Sequence, residues 1–211
     1  ASAAPRAGGR ARAEPAAPGA GSRGGLVRDA KAVDAAGRID AAVVQRMLDE
    51  AVAALVGEPD PRAAWREIVR PEDAVGVKSN AWSYLPTPPE VEQAIARRVA
   101  EAGVPASRLA VDDRGVRSNP VFRRATALVN ARPARTHHWA GVGSLVKNYI
   151  MFAEEPSAWH ADACADLGGL WRLPQVEGRT RLNVLVMLTP LFHGIGPHHF
   201  SRQYLWSYRR Y

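Results

Sequence analysis

Of the 28 cationic side chains in this sequence only three are lysines, Lys31, Lys78 and Lys147. Where arginine serves for nearly every generic positive charge, a lysine marks a place where an amine is wanted. An amine acts as base, nucleophile or covalent anchor, and a guanidinium does not. Two of the three lysines stand beside asparagine, in Lys78-Ser79-Asn80 and Lys147-Asn148. The competing reading is a pair of structural lysines bonded to strand-end carbonyls.

Lys147 closes the densest polar cluster in the chain, which runs from Thr136 through His137, His138, Trp139, Gly141 and Gly143 to Asn148. Gly141 and Gly143 permit close backbone approach, and the amides of a following helix start suit a phosphate or carboxylate. Gly-x-Gly alone is a weak signal, and its value lies in the imidazoles and amine on the same short loop. His137, Lys147 and Lys78 are therefore candidate catalytic groups. Asn80, Asp112, Gly141, Gly143 and Asn148 are candidate contacts to a small anionic ligand. Asp112 and Asp113 follow a strand, where adjacent carboxylates point to opposite faces, so they are not a paired acid and base. An ion pair between Asp112 and Arg114 is the plainer alternative.

All six histidines fall after residue 136, with His160, His193, His198 and His199 following the first two. Neutral imidazole is the commonest metal ligand, which makes His137 and His160 candidates for holding a divalent metal. No pair has the His-x-x-x-His spacing of one helix face, so spacing names no metal. Histidines that cap turns beside Gly and Pro are the alternative. Cys164 is the single cysteine, so an internal disulfide or a multi-thiolate zinc or iron–sulfur site is excluded within this chain.

These residues need a scaffold, and the chain supplies the pattern of one. Asp40 is a good N-cap for a helix over 41–56, where Val44, Met47, Leu48, Ala51, Val52 and Leu55 form one apolar face. A strand at 74–78, a helix at 89–102 closed by Gly103 and a strand at 109–112 make a βαβ unit. Strands are also expected at 127–130 and 182–188, the latter apolar enough to be buried on both faces. The fold class is α/β, a mostly parallel central sheet with flanking helices. Ligands enter such sheets at the carboxyl ends of the strands, where Lys78, Asp112 and the stretch after Asn130 fall.

With 211 residues, 46% of them hydrophobic, the chain can bury a real core. Residues 1–24, rich in Ala, Pro, Gly and Arg, read as a flexible tether, and 25–211 as one α/β domain. The formal charge is +7, but residues 1–28 hold Arg6, Arg10, Arg12, Arg23 and Arg28 against Glu14 alone. The modest remainder argues against a nucleic-acid footprint. No apolar run is long enough to span a membrane. The Ala-rich start resembles what a signal peptidase leaves, and points to export.

The order Val75-Gly76-Val77-Lys78-Ser79-Asn80, Pro86-Thr87-Pro88, Asp112-Asp113-Arg114, Val129-Asn130, Arg135-Thr136-His137, Gly141-Val142-Gly143, Lys147-Asn148 and His160 resembles the domain-of-unknown-function 362 family, over about residues 26 to 200. The resemblance implies an extracytoplasmic, periplasmic protein exported folded by the twin-arginine route, and gives no activity. Arg135 stands where that family commonly has lysine, the ferredoxin cysteines of some members are lacking, and the family's further segment would make this chain truncated at Tyr211. A more distant likeness is to nickel-pincer lactate racemases, in the ten-residue interval from His137 to Lys147. It implies Lys147 as a cofactor anchor, His137 as a proton shuttle and His160 as a metal ligand, although Asn148 departs from the continuation found there.

Two functions follow as expectations. The first is a metal- or small-anion-binding enzyme that transfers a proton next to a carboxylate, with imidazole as base and the lysines holding the anion. The second is a non-catalytic subunit that binds other envelope proteins, suggested by the aromatic run Tyr204-Leu205-Trp206-Ser207-Tyr208-Arg209-Arg210-Tyr211.

Overall fold

The computed structural model describes residues 22–193 and 200–206. His198, His199 and the end of the aromatic run, from Ser207, lie outside the described residues. Helix α1 (Ala41–Val56) begins where Asp40 Oδ1 accepts hydrogen bonds from the amides of Ala42 at 2.9 Å and Val43 at 3.0 Å. It ends at Gly57, whose φ of +80° glycine adopts without strain. Helix α2 (Pro61–Ile68), unforeseen in the sequence, follows with Asp60 as its cap.

A sheet forms the centre. Strands β1 (Val75–Lys78), β2 (Leu109–Asp112) and β3 (Ala127–His137) run parallel, with β1 between the other two. Helix α3 (Pro89–Glu101) crosses from β1 to β2, and the single turn α4 (Pro120–Arg123) precedes β3. Strand β5 (Thr180–Leu191) lies parallel to β3 on its other side. The short β4 (Gly141–Gly143) folds back antiparallel on the end of β3. The mostly parallel α/β sheet is thus present, with β3 seven residues longer than its apolar start suggested.

Strand β5 departs from expectation in its burial. Leu182, Val186 and Leu188 are buried, but Leu185 and Met187 are exposed, so it is not covered on both faces. The reason is position: among the described strands β5 pairs with β3 alone, apart from a bridge between Leu191 and Leu205 at its end, and so lies at the sheet's edge. Its alternation is that of a one-sided strand.

Two apolar layers sandwich the sheet. On one face α1, α2 and α3 pack Val44, Leu48, Trp65, Ile95 and Val99 over Val75, Val77 and Val129. Arg98 of α3 ties this layer, donating from Nε to Asp49 Oδ1 of α1 at 2.8 Å and from a terminal nitrogen to Oδ2 at 2.5 Å. On the other face Phe122, Tyr149, Ile150, Phe152 and Leu170 cover Leu128. Here a short helix α5 (Leu145–Asn148) and 3-10 turns at Tyr149–Phe152, Pro156–His160 and Asp162–Arg172 replace long helices.

Gly76 of β1 sits under this second layer. A Cβ there would lie 2.7 Å from Phe122 Cε1 and 3.0 Å from Leu128 Cδ2. Gly76→Ala is therefore expected to destabilise the protein by about 1–3 kcal/mol through overpacking, measured by urea denaturation.

Candidate functional site

Register builds the site. Asp112, Lys78, Asn130 and Asn183 are consecutive partners across β2, β1, β3 and β5. A polar row thus crosses four parallel strands at one level, near the carboxyl end of β1 and β2. Lys78 and Asn130 follow Gly76 and Leu128 by two residues, so the period of a strand turns them towards the α5 face.

Asn148 of α5 drops onto that row. Its Nδ2 donates to the Lys78 carbonyl at 3.0 Å, to Asn130 Oδ1 at 2.8 Å and to the Ala131 carbonyl at 3.2 Å. Its Oδ1 accepts from Lys78 Nζ at 3.3 Å. Asn130 in turn donates to Asn183 Oδ1 at 2.9 Å and to the Leu145 carbonyl at 3.1 Å. Lys78, Asn130 and Asn148 are all buried, and the network satisfies them.

Lys78 Nζ also donates to the Ser79 carbonyl at 2.7 Å and to Asp113 Oδ1 at 2.5 Å. Burial holds its amine below the ordinary range, at about 8, against the opposing pull of Asp113. With three acceptors around one ammonium, Lys78 is a buried structural cation that organises the strand ends. Asp113 Oδ2 accepts from the Ala81 amide at 2.7 Å and so pins the loop after β1.

The two adjacent aspartates diverge, as strand geometry requires. Asp112 accepts from the Gly115 amide at 2.9 Å and from Asn119 Nδ2 at 3.1 Å, shaping the turn into α4, and forms no ion pair with Arg114. Asn80 is equally occupied with its own loop. Its amide donates to Thr87 Oγ1 at 3.1 Å and its Nδ2 to the Leu85 carbonyl at 2.9 Å. Neither is placed to meet a ligand through the groups so used.

Lys147 and the histidines do converge. Lys147 Nζ lies 2.7 Å from His160 Nε2, and the rings of His137 and His160 stack at 5.9 Å between centroids. Trp139 packs edge-on to His160 at 5.2 Å. His160 Nδ1 is 3.3 Å from the Ser157 carbonyl, which only accepts, so Nδ1 carries the proton and Nε2 takes a hydrogen bond from the amine. His137 has the other tautomer: its Nδ1 accepts from the Ala140 amide at 3.1 Å, which leaves the proton on Nε2. Desolvation, with the charges of Lys147 and Arg135 nearby, pushes His137 down to about 3, so the ring is neutral at pH 7. Desolvation likewise lowers the Lys147 amine to about 8.

Gly141, with φ +71°, makes the exposed β3–β4 turn. Gly143 serves by close approach, because a Cβ there would lie 3.3 Å from Arg135 Nε and 3.4 Å from His137 Cβ. Helix α5 is a single turn, too short to offer a dipole-assisted anion site. The backbone contribution expected of this loop is therefore room for side chains.

Two arginines that the sequence does not mark complete the cluster. Arg132 on β3 is 5% exposed, and its Nε has no hydrogen-bond partner among the described residues. Arg135 Nε is unpartnered in the same way, while its Cζ sits 3.8 Å over the Trp82 ring. The ion pairs among the described residues include neither guanidinium. The Arg132 charge acts on Lys78, Lys147 and His137, and so links the lysine row to the imidazole pair. Four cations thus share this end of the sheet, and Asp113 is the carboxylate paired among them.

His160 is followed by a strained turn. Asp162, Ala163 and Cys164 have φ of 47°, 53° and 66°, three successive non-glycine residues in the left-handed region. Cys164 is buried in the second apolar layer and adjoins Lys147 closely enough to act on its charge. Ala163 is exposed, and glycine adopts its backbone conformation without strain, so Ala163→Gly is expected to stabilise the fold by about 1 kcal/mol, read as a shift of the denaturation midpoint.

A divalent metal does not fit these donors. Among the described residues no three His, Cys, Asp or Glu side chains converge, and His160 Nε2 is engaged by Lys147. His193 packs edge-on against Tyr204, with ring centroids 4.6 Å apart.

Fold and site together define an α/β protein with a cationic cluster at the carboxyl end of a mostly parallel sheet. No family model matches the chain, and neither curated proteins nor solved structures gave a match.

Proposed function

We propose that the protein is a proton-transfer enzyme acting beside the carboxylate of a small anionic substrate. The observation that carries this reading is the 2.7 Å contact between the Lys147 amine and His160 Nε2, beside two guanidiniums without counter-ions. Held near pKa 8, the amine is partly free base at neutral pH, where a general base works best. When it donates one N–H to His160, its lone pair is left for a substrate proton. Lys147 therefore takes the role of base that the sequence alone suggested for an imidazole, and His160 orients it. Neutral His137 offers its Nε2–H to the oxygen on which charge develops, and the guanidiniums hold the carboxylate. The product of the step is an enediolate-type anion, with the proton on Lys147 and returned to either carbon face or oxygen.

The test is deuterium wash-in. Incubating the protein in D2O with a panel of 2-hydroxy acids and following the hydrogen next to the carboxylate by NMR is expected to show exchange with at least one. Lys147→Met and His160→Phe are expected to lower that rate by at least about 100-fold. Absence of exchange across the panel, or exchange untouched by Lys147→Met, overturns the proposal.

A second reading, a non-catalytic subunit of an envelope assembly, is favoured by one feature: exposed Leu185 and Met187 on edge strand β5, beside an apolar groove lined by α1. A stable monomer by size-exclusion chromatography with light scattering speaks against it. Export, and membership in the family that the motif order resembles, belong to the same proposal.

A further inference from the structure

Arginine charges are permanent at neutral pH, and burying one without a counter-ion is costly unless something supplies the missing charge. Asp113 reaches Arg132 with its charge but forms no ion pair with it, and that one carboxylate is already shared with Lys78 Nζ and the Ala81 amide. Arg135 has the face of Trp82 in place of a carboxylate. This leaves two fixed positive charges on β3, separated by the register shift between Pro133 and Arg135 that breaks strict strand alternation and close enough for the Arg135 charge to act on Arg132, each with a buried Nε–H that donates to nothing among the described residues. Pairing with a single carboxylate would neutralise only one of them.

We propose that Arg132 and Arg135 form a receptor for a doubly charged oxyanion, so that the substrate of this site is a dianion. Its second anionic group is a further carboxylate or a phosphate monoester, which share the chemistry of planar or tetrahedral oxygens accepting from guanidinium N–H groups. The inference rests on the anion-binding half of the reading above and not on Lys147 as base. Trp82 packs edge-on against Tyr84, ring centroids 5.1 Å apart, and its face meets Arg135 Cζ at 3.8 Å, so the guanidinium is oriented before any anion arrives.

The experiment is isothermal titration calorimetry on the full chain at matched ionic strength, with acetate, malonate and phosphoglycolate as probes. Malonate or phosphoglycolate is expected to bind at least about 10-fold more tightly than acetate, the worth of one further charge-assisted contact. Preference for phosphoglycolate over malonate assigns the phosphate, and the reverse order assigns the second carboxylate. Arg132→Met and Arg135→Met are each expected to erase the dianion preference. Lys147→Met leaves it standing while abolishing deuterium exchange, so loss of the base and loss of the receptor are told apart.

A second measurement protects the test from misfolding. An arginine kept for a ligand is a burden on the empty protein, so Arg132→Met is expected to raise the melting temperature without anion and to remove its increase on adding malonate. Equal affinity for acetate and the dianions overturns the proposal, as does an unchanged preference in Arg132→Met or a lowered melting temperature for that variant in the absence of anion.

Discussion

Asn148→Leu is expected to cost about 3 kcal/mol or more of stability, measured as the change in unfolding free energy by urea titration. Leucine is close to asparagine in size, so packing is not the reason. The amide of Asn148 donates to the Lys78 carbonyl, the Ala131 carbonyl and Asn130 Oδ1, and its oxygen accepts from Lys78 Nζ. Leucine removes the donor from Asn130 Oδ1, from the Lys78 carbonyl and from the Ala131 carbonyl, which keeps Thr87 Oγ1 at 3.3 Å, and takes one acceptor from Lys78 Nζ; a buried group left unsatisfied costs about 1–3 kcal/mol. The low dielectric of the interior that strengthens a complete network raises the penalty of an incomplete one. Because Asn148 precedes the turn at Tyr149–Phe152 and follows Lys147, the same change is expected to displace the amine and abolish proton exchange. A variant with wild-type stability would show that the network is replaceable by water and that the row across the strands does not organise the site.

The second large effect is on pH. The amines of Lys78 and Lys147 sit near 8 in the folded protein, against the ordinary value of 10.5, because burial disfavours their charged forms. Between about pH 8 and 10.5 the unfolded chain therefore binds more protons than the folded one, and stability rises with pH. Each lysine contributes a slope of about 1.4 kcal/mol per pH unit in that window. Above about pH 10 Tyr149 opposes the trend: burial raises its phenol, so the folded state keeps a proton that the unfolded state releases. On the acid side His137, lowered to about 3, stays neutral in the fold while an unfolded histidine takes a proton below 6.5. Stability is thus lost as pH falls from 6.5 towards 3. Urea midpoints at half-unit steps from pH 4 to 10 are expected to climb in two stages, with Lys147→Met flattening the upper one by about half. A flat profile from pH 8 to 10 would mean that the two amines titrate as they do in water.

With only three lysines in the chain, the same claim has a direct check. Lysine side-chain nitrogen NMR is expected to show two of the three amines titrating near 8.

Much of the fold was written locally. Helix α1 has the bounds 41–56 because its apolar face, Asp40 cap and Gly57 terminator all lie within eighteen residues of one another. The βαβ unit from Val75 to Asp112 was legible for the same reason. The end of β3 was not, since Arg132, Pro133 and Arg135 are poor strand residues on their own. They are extended because β5 and β4 pair with them, and those partners lie far away in sequence or across a turn. The edge position of β5 was hidden too, because an apolar run reads the same whether one or both of its faces are covered.

The site divides along the same line. Scarcity of lysine beside asparagine singled out Lys78, Lys147 and Asn148, a compositional signal that needs no coordinates. It could not tell that Lys78 is consumed by Asp113 and Asn148 whereas Lys147 meets His160. Arg132 was invisible among the many arginines, its one clue being that it continues the polar side Lys78 and Asn130 occupy, and Arg135 stood out only as a departure from a family pattern. The order of residues sets which chemical groups are present and which local elements carry them. Which cations are paired and which are not emerges on folding, because a charge becomes costly only once neighbouring elements take away its water.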